Sequence, residues 1–76
     1  MNFIRAYKFN PMANKRGCQV LINLDAVVSI EPRAGIISLK NGNKEVEYVV
    51  VKYANDTFET VLKSFDDMLE TIEMLS

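Results

Sequence analysis

Along residues 3 to 9 the chain alternates, with Phe3, Arg5, Tyr7 and Phe9 on one side and Ile4, Ala6 and Lys8 on the other. A period of two is the mark of a strand. "NPMANKRG" interrupts it with Asn, Pro and Gly, which are turn formers. The alternation resumes in "CQVLINL", where Val20, Ile22 and Leu24 share a face, and "DA" makes a short step into the strand "VVSIE". Pro32 lacks an amide hydrogen and Gly35 tolerates positive φ, so "EPRAG" predicts a hairpin turn whose second strand is "IISLK". Asn41-Gly42 is the favoured pair for a type I′ turn, folding "IISLK" back on "NKEVEYVVVKY".

That strand changes character along its length. Its even positions are Lys44, Val46, Tyr48, Val50 and Lys52, and its odd positions are Glu45, Glu47, Val49, Val51 and Tyr53. The first half has a charged odd face and the second is apolar on both faces, which predicts a strand passing from a half-solvated sheet into a region covered on both sides. "ANDT" predicts a turn and "FETVLK" a last short strand. In residues 64 to 76, Phe65, Met68, Leu69, Ile72 and Leu75 form one helical stripe behind Ser64, a good N-cap, with Asp66 and Asp67 complementing the positive end of the helix dipole. About three turns of helix are not stable alone in water, so this one mainly covers its own sheet, with Met74 at the margin. The fold class is α+β, mostly β: an antiparallel meander of five or six strands, as a curled sheet or small SH3-like barrel, with one C-terminal helix.

Composition sharpens this picture. The chain has 76 residues, 49 % apolar and 25 % charged, which suits a single globular domain over residues 1–76. Such a domain hides only about 60 % of its unfolded surface, so its net stability is a few kcal/mol and reinforcement by oligomerisation is expected. A disulfide within the chain is excluded because Cys18 is the one cysteine, and no cofactor or metal is expected from a chain without His. No apolar run reaches the roughly 18 to 20 residues that cross a bilayer, and the N-terminus lacks a secretory pattern, so a cytoplasmic location without membrane contact is expected.

Net charge is −1, but its distribution is uneven. Residues 1 to 24 hold Arg5, Lys8, Lys15 and Arg16 and no acid at all, while residues 64 to 76 hold Asp66, Asp67, Glu70 and Glu73 and no base. Such polarity suits head-to-tail self-association or a charged partner.

Candidate chemistry is sparse. The commonest general base is missing with His, and the pairs Asp66 with Glu70, Glu70 with Glu73, and Glu45 with Glu47 read as solvated surface rather than catalytic carboxylates. Cys18 begins a strand beside a basic loop and reads as a small buried core residue. Tyr7 and Phe9 interleaved with Arg5 and Lys8, followed by Lys15 and Arg16 in the loop, are the mixture that single-stranded nucleic-acid binders use, although the simpler reading makes the aromatic side chains core.

"INLDAVVSIEP", then "LKNG", an apolar strand and "SFDDML" opening a terminal helix resemble the small β-rich proteins of the swarming-motility and flagellar FlbD-like family, with similar short bacterial and phage proteins. In that pattern Asn23 and Asp25 form the turn between strands, and the match spans about Val20 to Leu75, with an added hairpin at roughly residues 43 to 63. The resemblance implies a non-enzymatic accessory protein acting by contact. The leading functional expectation is therefore a protein–protein interaction module (adaptor, accessory or inhibitor), acting as a homo-oligomer. Its surface would be Tyr48, Val49, Val51 and Tyr53 with an exposed sheet edge. A nucleic-acid binder using Arg5, Tyr7, Lys8, Lys15 and Arg16 is the alternative, and an enzyme comes third.

Overall fold

The computed structural model describes residues 2–75. Five strands and a terminal helix follow in order: β1 (Phe3–Asn10), β2 (Lys15–Asn23), a 3-10 turn (Leu24–Ala26), β3 (Val27–Leu39), β4 (Gly42–Tyr53), β5 (Phe58–Val61) and α1 (Phe65–Leu75). All pairings are antiparallel, and the order across the sheet is β2-β1-β5-β4-β3. The fold is thus α+β and mostly β, in the open, five-stranded form of the meander and not a closed barrel.

The turns follow from local chemistry. The Asn10 side chain accepts from the amides of Met12 and Ala13, and Asn14 takes φ 54, a left-handed conformation that asparagine tolerates. Asn23 caps the 3-10 turn by accepting from Asp25 N at 3.1 Å, so Asn23 and Asp25 do form the link between two strands. Asn55 accepts from both the amide and the hydroxyl of Thr57 in the predicted "ANDT" turn.

Two turn predictions are corrected. "EPRAG" is not a turn: β3 runs unbroken through it, with Pro32 opposite Val49 and Gly35 opposite Val46. Proline is tolerated because β3 is an edge strand, where an amide hydrogen pointing away from the ladder is not needed. The hairpin at Asn41-Gly42 exists but is not type I′. Its linking residues are Lys40 and Asn41, and only Gly42, at φ 122, has positive φ.

The core forms where the inward residues of the strands meet the helix. Ile4, Ala6, Ile22, Val49, Val51, Val61 and Met68 are buried together, with Val20, Leu24, Ile30, Tyr53, Phe65 and Ile72 packed around them. Ser64 caps α1 as predicted, accepting from Asp67 N at 3.1 Å. The helix covers its own sheet through Phe65, Met68 and Ile72, and Met74 is left out at 79 % exposure. Ser76, the last residue of the predicted helical segment, lies outside the described residues.

Candidate interaction surface

β4 is the strand from which the sequence builds an interface, and the structure turns most of it inward. Val49 and Val51 are fully buried in the core, and this half of β4 is paired on both sides, residues 49–52 with β5 and the whole strand with β3. Tyr48, on the other face of β4 by strand alternation, lies against Phe9 with ring centroids 4.8 Å apart. Tyr53 donates its hydroxyl to Glu59 Oε2 at 2.8 Å. Burial first, and then that bond and the negative charge of Glu59, push its pKa up to about 12. The second half of the strand is therefore covered on both faces, as its composition predicts, but by the protein's own side chains. In this conformation Val49 and Val51 present nothing to a partner.

The basic N-terminal set divides three ways. Arg5 and Tyr7 lie opposite Leu21 and Gln19 on β1 and β2, and the Arg16 guanidinium stacks over the Tyr7 ring at 4.2 Å. Lys8 instead reaches Glu59 at 3.6 Å. Lys15 points to a separate groove described below. Lys15 and Arg16 belong to β2 rather than to a loop, which is a correction to the sequence reading: the turn closes within residues 11–14. Cys18 is likewise exposed and not core. It lies with Gly17 where two residues of β2 oppose Lys8 alone, and this bulge breaks the alternation that would have turned the thiol inward. Of the three aromatic residues of β1, Phe3 and Tyr7 are exposed, because the core side of β1 is the one carrying Ile4 and Ala6, whereas Phe9 is buried against Tyr48.

The carboxylates read as surface are surface. Asp66, Asp67, Glu70, Glu45 and Glu47 are all exposed. Among the described residues no three acidic, Cys or His side chains gather to hold a metal ion, and no helix is long and apolar enough to cross a membrane.

What the sequence misses is a seam. The outermost strands, β2 and β3, are joined at one end by the 3-10 turn and tied at the other by Ser38 N donating to Asn14 O at 2.9 Å. Between those ties no ladder pairs them. At the Ser38 end a groove of about 710 Å³ opens, lined by Lys15, Arg16, Ile37, Leu39, Lys44 and Leu62 with Val46 and Ser38. Reading "EPRAG" as a turn hides it. Once β3 is continuous, the register sets Ile37 opposite Lys44 and Leu39 opposite Gly42, so these apolar residues line the hairpin face beside the basic start of β2.

No family model, curated protein or solved structure matches the chain.

Proposed function

We propose that this chain is a small, non-enzymatic protein-contact module, an adaptor, accessory or inhibitor protein of the cytoplasmic bacterial or phage type, that works as a homo-oligomer. The observation that carries this reading is the open seam. It leaves two sheet edges whose backbone groups can accept a further strand, and Leu21, Val28, Ile36 and Leu39 on β2 and β3 are all more than 40 % exposed. Exposed apolar residues are ordinary singly, but these four lie on the two strands that lack an outer neighbour, where a docked strand would cover them. The small core supports the same reading: among the described residues eight hydrophobic ones are buried, and so modest an interior gains from a second subunit. The FlbD-like resemblance points the same way, toward action by contact.

Light scattering on protein eluting from a sizing column, from low to high micromolar concentration, tests it. The reading predicts a mass above the 8.6 kDa of one chain, rising with concentration. A mass fixed at 8.6 kDa throughout removes the homo-oligomer.

One observation favours the nucleic-acid alternative: Arg5, Tyr7 and Arg16 do share a surface, with Phe3 exposed on the same strand. Yet the Arg16 guanidinium already occupies one face of the Tyr7 ring, and the set loses Lys8 to Glu59. Fluorescence anisotropy with a labelled single strand decides between them. Binding that weakens with salt and is lost on Arg16→Glu supports the alternative, and no binding at low salt removes it.

A further inference from the structure

We infer that the basic groove at the Ser38 end of the seam receives the outer face of α1 from a second copy of this chain, an inference that rests on the contact-module reading above.

The groove has the composition of a docking site for an acidic, partly apolar helix. Its floor is Ile37, Val46 and Leu62, all half-buried, with Leu39 at 53 % exposure. Its rim is Lys15, Arg16 and Lys44, all exposed, and no acid lines it. Among the described residues none of these three cations has an acidic partner within salt-bridge distance. Positive charge left uncompensated around an apolar floor selects for a negative partner that also carries a hydrophobic anchor.

Helix α1 presents that combination outward. With Met68 buried and Phe65 and Ile72 turned to the sheet, helical spacing puts Asp66, Asp67, Glu70 and Met74 on the opposite face, and all four are exposed. Met74 follows Glu70 by one turn, so an apolar tip stands beside two acids on one face. Methionine is unbranched and fits irregular grooves. No basic residue occurs from residue 64 to the end of the chain to offset the charge.

The helix cannot serve its own groove, because its inner face is pinned in the core by Met68 and its acidic face points away from the sheet. A second molecule must supply it. The other large concavity on the hairpin, lined by Ala34, Gly35, Ile36, Glu45, Val46 and Glu47, carries two acids and repels this helix. A groove on one copy and a helix on the next make a head-to-tail contact, which extends into chains or closes into rings rather than stopping at a two-fold dimer.

Two complementary variants test this by light scattering. The groove variant is Lys15→Glu with Lys44→Glu, and the helix variant is Asp67→Asn, Glu70→Gln and Met74→Ser; all sites are exposed, and circular dichroism verifies that each variant keeps the fold. Wild type is expected to associate, more strongly at low than at high salt. Each variant alone is expected to stay at 8.6 kDa where wild type associates. An equimolar mixture is expected to recover a 1:1 pair of twice that mass, since one variant keeps its helix and the other its groove. Wild type that associates while either variant associates equally overturns the inference and leaves the broader reading standing. So does a mixture that stays monomeric, or loss of association through Glu45→Gln with Glu47→Gln but not through the helix variant. Wild type monomeric at every concentration overturns the inference and removes the homo-oligomer with it.

Discussion

A β-carbon on Gly35 would lie 3.0 Å from Tyr48 Cε1 and 3.1 Å from Phe9 Cε2. The glycine is therefore the space in which the Phe9–Tyr48 pair sits, and Phe9 is buried to 3 % exposure as a result. Its role is close approach between backbone and ring rather than the turn its identity suggests.

Gly35→Ala is expected to destabilise the protein despite the usual advantage of alanine over glycine in a strand, because two ring atoms must retreat from a packed position. The net cost is about 1 kcal/mol, and Gly35→Val costs more. Urea unfolding followed by circular dichroism reads it. A Gly35→Ala variant as stable as wild type would show that the rings move freely.

Met68 ties the helix to the sheet with no exposure at all, whereas Met74 on the same helix is 79 % exposed. Met68→Ala should cost about 2–4 kcal/mol, most of what a domain this small has to lose. Met74→Ala should leave unfolding unchanged within about 0.5 kcal/mol at concentrations too low for association. Equal effects of the two would mean that the helix docks by some other face.

Tyr53 supplies a pH dependence. Its folded-state pKa lies near 12 against an ordinary 10, so the folded protein holds its proton more tightly than the unfolded chain does. The resulting stabilisation is fully present below pH 10 and disappears as pH rises from 10 to 12. With solvent screening at this half-buried position, the effect amounts to about 1 kcal/mol. Tyr53→Phe removes the bond to Glu59 and should flatten this part of the alkaline unfolding profile, which thermal melts at a series of pH values would reveal. An unchanged alkaline slope in the variant contradicts it.

Cys18 is exposed on β2, so a thiol-specific colour reagent should modify one sulfhydryl per chain in the native protein, with no denaturant added. Reaction that waits for denaturant would return the thiol to the interior.

Much of the fold is legible in residue order. Alternation in "FIRAYKF" and β4, the Asn-led turns and the Ser64 cap are local effects, and local chemistry decides them. Three misreadings share a different cause. Pro32 and Gly35 look like a turn until the strand carrying them is known to be an edge and to run beneath two aromatic rings. Cys18 looks buried until a bulge shifts its register. Tyr48 to Tyr53 look like a spare apolar surface until Phe9, Met68 and β5 are brought over them. Each depends on partners distant in sequence. The groove was hidden for the same reason, since Lys15, Leu39 and Lys44 become neighbours only when the first turn is clipped to β3 by Ser38 and Asn14.

The seam is the centre of the functional account, and amide hydrogen exchange at low and high protein concentration tests it most directly. The account predicts that peptides covering residues 15–16, 37–46 and 66–74 gain protection as concentration rises, while the core strands exchange equally slowly at both. Exchange independent of concentration across all three segments would contradict it.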